Sequence, residues 1–368
     1  MAEGSSQLLT ALVVVVLASV MAKPVLMSSE GRSAPAVFVF GDSLFDVGNN
    51  NFLPLSIAKA DFPHNGVDFP GGTPTGRFSN GYNIADCLAK SYGFNASPSA
   101  FLSLTEAQLE KSIHEGINFA SAGSGILEIT GSQLGEVISM DAQIQYFNTS
   151  LQSFTAGRHS SARRAPLSKS IFLISAGSND LFGFYQSNAS PSNLTTSEFI
   201  TLMTSKHREQ LRTLYSLGAR RFGIMGLGLI GCCPSQRILT ASGGCVAELN
   251  DYALQFHLAL KKVLGKLSSM HKGMKYSLGE GHTMATMITS QPLTYGFKEV
   301  TNACCGCGRL DGQFACTPIA TLCTDRESHY FWDWFHPTET AAKLFAKMLY
   351  GGTPELASPI NFRELAED

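Results

Sequence analysis

Two hydrophobic patterns alternate along the chain. Residues 36–40 (AVFVF), 170–175 (SIFLIS) and 221–225 (RFGIM) are short, nearly unbroken apolar runs. They lack the in–out alternation of a half-exposed strand, which suits strands buried on both faces of a parallel sheet. Residues 83–92, 197–217, 246–270 and 337–349 carry helical patterns instead. In the third of these, Leu249, Ala253, Phe256, Leu260, Val263 and Leu267 form one helical stripe. Ser197 suits an N-cap with Gly218 as its stop, and Pro337 suits a first helical turn. Strand followed by helix, repeated, predicts an α/β fold with helices on both faces of a parallel sheet. Residues 152–168 show no clear period, are rich in Ser and Arg, and read as an exposed loop. No internal repeat or long linker divides the chain. The simplest division is one domain over residues 35–352, preceded by a short segment (23–34) and followed by a C-terminal tail (353–368).

Residues 8–22 (LLTALVVVVLASVMA) stand apart. The stretch is short for a membrane span, which takes about 20 residues, and Val20-Met21-Ala22 gives small or modest residues at the usual cleavage positions. It reads as a signal peptide over residues 1–22. Its flank, MAEGSSQ, has Glu3 and no basic residue, so an uncleaved anchor or a buried helix is the alternative. Export places the protein outside the cell and changes the meaning of two other features. Asn95, Asn148, Asn188 and Asn193 head N-x-S/T sequons and become glycosylation candidates. Eight of the nine cysteines crowd at 232–245 and 304–323 and become a disulfide framework whose pairing is not readable from sequence. The rival is zinc, since Cys304-x-x-Cys307 has ligand spacing, but no second such pair follows, so no metal is expected. An odd count leaves at least one cysteine outside intrachain pairs, and Cys87, isolated in a predicted helix, is the first choice.

Composition narrows the function classes. The 368 residues are 44% hydrophobic and 15% charged, with a net charge of −2. That describes a globular chain with a large core, and no basic stripe points to nucleic acid. Ligands in parallel sheets gather at the carboxyl ends of strands. The first strand ends in Gly41-Asp42-Ser43 and the second in Gly177-Ser178-Asn179-Asp180, with a Gly-rich stretch, 117–125 (INFASAGSG), between them. Ser43 is a candidate nucleophile. The Ser43 and Gly123 amides and the Asn179 side chain are candidate oxyanion donors. Serine needs a base, and Asp333, three residues before His336 in FWDWFHP, offers a carboxylate–imidazole pair. Asp42 and Asp46 are expected to hold the turn through backbone amides, not to act as base. Taken singly, each feature also reads as an ordinary turn or cap. The run Gly226–Gly231 (GLGLIG) matches a dinucleotide fingerprint, but CCPS follows in place of a helix start, so it reads as a loop. No Gly-x-Ser-x-Gly elbow occurs at a strand-to-helix turn.

Together, these residues resemble the plant-type GDSL esterase/lipases of the SGNH hydrolase superfamily. The similar blocks, in order, are GDSLFDVGNNN (41–51), TGRFSNG (75–81), INFASAGSGI (117–126), GSND (177–180) and WDWFHPTE (332–339). The resemblance implies a three-layer α/β/α fold around a central, mostly parallel sheet. It also implies carboxylic ester hydrolysis by Ser43, His336 and Asp333 through an acyl-enzyme, with no cofactor. The expected partner is a small-molecule or lipid ester, with no obligate protein partner evident. Cys233, Cys307 and the stretch 276–282 (YSLGEGH), which lacks an Asp at the expected strand end, depart from the family pattern. Acyl transfer by the same residues and non-catalytic binding of a lipid or ester are the alternative functions. A nicotinamide enzyme is the remaining one.

Overall fold

The computed structural model describes residues 31–156, 166–187 and 194–367. The chain opens with β1 (Val37–Gly41), α1 (Ile84–Ser91), α2 (Glu106–Ser112) and α3 (Met140–Ala156). It continues through β2 (Ile171–Ser175), α4 (Ser178–Ser187), α5 (Thr196–Ser216), β3 (Arg221–Met225), α6 (Pro234–Arg237) and α7 (Ala247–Met270). Then come β4 (Lys275–Gly279), α8 (Gly281–Ser290), β5 (Glu299–Ala303), β6 (Cys305–Gly306), β7 (Thr321–Leu322) and β8 (His329–Phe331). The last elements are α9 (Glu339–Gly351), β9 (Ala357–Ser358) and α10 (Phe362–Ala366). The main sheet has the order β1-β2-β3-β4-β9; its first four strands are parallel and β9 is antiparallel.

The apolar runs follow from burial on two faces. Phe38, Phe40, Phe172, Ile174, Phe222 and Ile224 point into a core shared with α3, α5 and α7. Val37, Val39, Ile171 and Leu173 point the other way, into a core shared with α1, α9 and α10. Alternate residues of a strand face opposite sides, so a strand between two cores has no polar face to show. The result is a three-layer α/β/α fold.

Several expectations need correction. The helix expected at 197–217 starts one residue earlier, and its cap is Thr195, not Ser197. Thr195 Oγ1 accepts from Glu198 N while Glu198 Oε2 accepts from Thr195 N, a reciprocal pair only that spacing allows. Pro337 lies outside α9, which is capped by Thr338. Residues 152–156 belong to α3 and not to a loop; 157–165 lie outside the described residues. The predicted C-terminal tail supplies β9 and α10, and Ala357, Phe362 and Leu365 are buried in the second core. The proposed signal peptide lies outside the described residues. Among those described, no helix is long and apolar enough to cross a membrane.

The departure at 276–282 has a definite structure. β4 ends at Gly279, and Glu280 follows where an Asp is expected. Glu280 meets His257 Nε2 at 2.6 Å, Lys261 Nζ at 2.7 Å and the Ser358 hydroxyl at 2.9 Å, tying α7 and β9 to the end of β4. Burial pushes its carboxyl up, but those hydrogen bonds outweigh it and bring the pKa from 4.5 to about 2. A depressed carboxyl adds stability above its unfolded pKa and loses it as pH falls through the folded one. Wild type is therefore expected to lose melting temperature as pH falls from 4.5 toward 2, and Glu280→Gln to lose it less steeply over that interval. Parallel melting curves for the two proteins would take Glu280 out of the acid response.

Candidate active site

The turn after β1 is built by burial and close approach. Gly41 sits at φ 132°, and a Cβ there would lie 2.0 Å from Ser175 O, so the chain leaves the sheet over β2 with no side chain. The Gln143 amide holds this glycine from both sides, accepting from Gly41 N at 2.8 Å and donating to Gly41 O at 2.9 Å. Asp42 and Asp46 hold the turn as expected. Asp42 Oδ1 accepts from Leu44 N at 3.1 Å. Asp46 accepts from Gly48 N at 2.7 Å, Asn49 N at 2.8 Å and Ala122 N at 3.0 Å, so one carboxylate fixes the serine turn against the Gly-rich loop. Burial pushes Asp42 up to about 7 and Asp46 up to about 6.

Far downstream, the chain turns tightly after β8. Trp332 N donates to His336 O at 2.7 Å, and Asp333 Oδ1 accepts from both Phe335 N and His336 N at 2.8 Å. This turn is why the carboxylate and imidazole stand three residues apart. His336 Nδ1 lies 2.8 Å from each Asp333 oxygen, and His336 Nε2 lies 2.7 Å from Ser43 Oγ. A proton on Nδ1 faces the carboxylate, which leaves the Nε2 lone pair facing the Ser43 hydroxyl. Asp333 and His336 are buried, Ser43 is half-buried, and the Phe78 ring lies 4.8 Å from the imidazole.

The three predicted oxyanion donors line the same cavity as Ser43 and His336. Among the described residues, the Ser43 and Gly123 amides donate to no protein acceptor. Asn179, in the first turn of α4, donates one amide hydrogen to Ser124 O at 2.9 Å. Gly123 sits at φ 85°, and a Cβ there would come within 2.5 Å of the Leu134 side chain. Asp180 fixes the loop that follows, accepting from Ile126 N, Leu127 N and Thr130 Oγ1 at 2.7–2.9 Å. Gln143 and Asp180 went unread in the sequence because each acts over 50 residues or more. The cavity is about 510 Å³, and apolar side chains such as Leu44, Phe182, Leu227 and Phe335 dominate its walls.

The remaining sequence features are placed as follows. Residues 226–229 form a loop that enters a 3₁₀ turn at Ile230–Cys232, and the four-residue α6 follows, so no long helix starts at the glycines of the run. Disulfides join Cys232–Cys245, Cys304–Cys323 and Cys305–Cys316. Cys304, half of the zinc-like pair, is therefore engaged in a disulfide. Cys87 is free, as expected, but so are Cys233 and Cys307. Burial pushes the Cys87 and Cys233 thiols up to about 12, which disfavours their reactive thiolates. Asn95 is exposed and Asn148 is half-buried on α3; Asn188 and Asn193 lie outside the described residues.

A hydroxyl, an imidazole and a carboxylate in series, with free amides beside an apolar cavity, can carry out acyl chemistry on a hydrophobic ester. The chain belongs to the GDSL-like lipase/acylhydrolase family, whose model matches residues 37–349. It is similar to GDSL esterase/lipase At5g55050 of Arabidopsis thaliana, 39% identical over 351 residues, 93% of each chain. It is also similar to GDSL esterase/lipase At4g16230 of the same plant, 37% identical over 343 residues, 91% of this chain and 92% of the relative. Among solved structures, the phospholipase A1 from Streptomyces albidoflavus NA297 aligns over 84% of this chain and 95% of its own, at 14% identity and a TM-score of 0.29. The family makes this protein a carboxylic ester hydrolase of the esterase/lipase type, acting on a lipid or other ester.

Proposed function

We propose that the protein is an exported serine esterase working through an acyl-enzyme. The observation that carries this reading is the 2.7 Å contact between Ser43 Oγ and His336 Nε2, with Asp333 on the far nitrogen. Ser43 Oγ attacks the ester carbonyl as its proton passes to Nε2. The oxyanion is held by the Ser43 and Gly123 amides and the Asn179 amide. His336 returns the proton to the departing alkoxide, leaving an acyl group on Ser43. Water repeats the sequence and releases the acid. Three disulfides suit an oxidising compartment, which supports export with residues 1–22 as signal peptide and glycan at exposed Asn95.

The test is labelling by a serine-directed phosphonate followed by peptide mapping. The label is expected on Ser43; a label elsewhere with activity lost overturns the assignment. Product analysis with added alcohols separates hydrolysis from transfer. Asn179→Ala is expected to lower kcat by about 10²–10³-fold with little change in KM, since its second amide hydrogen binds charge that develops only in the transition state. A variant with wild-type kcat would remove Asn179 from the oxyanion site.

A further inference from the structure

Phe78, in the block TGRFSNG (75–81), lies against the general base. Its ring centroid is 4.8 Å from that of His336, with the two planes 37° apart, and it lines the cavity. Rings lying side by side could not approach so closely, so the contact is made through their faces. Resting on the esterase reading above, we propose that Phe78 assists the reaction through His336: the negative face of its ring stabilises the imidazolium that forms as Ser43 gives up its proton.

Three observations carry this role. First, the chain around Phe78 is fastened to the chain on both sides of His336. Asp68 accepts from Arg326 Nε at 2.6 Å and Nη2 at 2.7 Å, just before β8. Asn65 Oδ1 accepts from the buried indole of Trp332 at 2.9 Å, and Asn80 Oδ1 accepts from Glu339 N at 2.8 Å. Arg77, beside Phe78, is buried and paired with Asp86 at 2.7 and 2.8 Å. These contacts fix the ring's place over the imidazole. Second, charge appears where the ring can act on it. Ser43 Oγ bonds the carbonyl carbon as its proton moves to Nε2, so a neutral imidazole becomes a cation. A cation within about 6 Å of a ring centroid is drawn to the ring's negative face, more strongly where water is excluded. His336 is buried and Phe78 half-buried. Third, the ring does not duplicate Asp333. The carboxylate meets the edge of the imidazole at Nδ1, 2.8 Å away, and the ring covers a face.

The neutral imidazole of the resting enzyme gains little from the ring, so the contact favours the transition state over the ground state. Acylation and deacylation both pass through the cation, and whichever step limits kcat reports the effect.

The experiment replaces Phe78 by phenylalanines carrying one, two and three ring fluorines and measures kcat and KM on p-nitrophenyl acetate. Fluorine draws charge from the ring face with little change in size. Each added fluorine is expected to lower kcat, reaching about three- to tenfold below wild type at three, with KM little changed. Phe78→Leu, which keeps apolar bulk without a ring, is expected to lose about tenfold in kcat, and Phe78→Tyr to keep most of it. Phe69→Leu is the control. Its ring lies in the same segment but packs on Tyr82 at 4.8 Å and under the Arg77 guanidinium at 4.8 Å, so wild-type kcat is expected even where the melting temperature falls. A flat kcat across the fluorinated series overturns the inference, even with Phe78→Leu impaired, because packing alone then accounts for the contact. Since fluorination barely alters size, the series keeps the idea testable if Phe78→Leu fails to fold. Phosphonate labelling of wild type separates the two readings. A label on Ser43 with a flat series overturns this inference alone; a label elsewhere overturns the esterase reading, and this inference with it.

Discussion

Ser43→Ala is expected to lower kcat on any ester by roughly 10⁶-fold, to the level that binding and oxyanion donors alone supply. The change removes one oxygen whose hydrogen-bond partner is His336 Nε2 at 2.7 Å. It touches neither Gly41, which closes the turn on β2, nor Asp46, whose three amide contacts tie that turn to the Gly-rich loop. The melting temperature should therefore stay near that of wild type, and a folded but inactive variant is the predicted combination. The measurement is acid release at high enzyme concentration, with phosphonate titration to count contaminating active sites. Turnover comparable to wild type would place the nucleophile elsewhere.

Asp333→Asn is expected to cost roughly 10⁴-fold in kcat at neutral pH. Asp333 Oδ1 accepts from Phe335 N and His336 N, and both oxygens face His336 Nδ1. Asparagine can keep the two backbone contacts through its one carbonyl oxygen. Its NH₂ must then face Nδ1, which makes Nδ1 the acceptor and moves the imidazole proton to Nε2. The nitrogen facing Ser43 becomes a donor and no longer accepts the hydroxyl proton. The loss belongs in kcat more than in KM, and a rate rising with hydroxide concentration would show that the general base has been disabled. Wild-type kcat in this variant would mean that the tight turn alone orients the ring.

Much of the site was legible because its chemistry lies in short local turns. Gly41-Asp42-Ser43 and Asp333–His336 each put a candidate reactive side chain beside a residue that shapes its turn, and Asn179 stands at a strand end. β1, β2 and β3 were legible for the reason that they are buried on both faces. β4 was not, because Lys275 is exposed and Tyr276 half-exposed, so it lacks an apolar run. Ser197 was read as the cap because Thr195, Thr196 and Ser197 form a run of three hydroxyl residues that fit equally until the partner Glu198 is counted. Residues 353–368 were read as a tail because β9 spans only two residues and gains its place from pairing with β4.

The sequence by itself determined the three strands buried on both faces, the helices at 83–92, 197–217 and 246–270 to within a residue or two, the family and the candidate acyl-transfer groups, since each is written in contiguous residues. The tertiary structure decided which of them meet. Ser43 and His336 are 293 residues apart, and only the parallel sheet and the turn after β8 bring them to 2.7 Å. It also decided the disulfide partners and the supporting roles of Gln143 and Asp180. These depend on distances between separate segments, and spacing along a chain does not encode distance across a folded one.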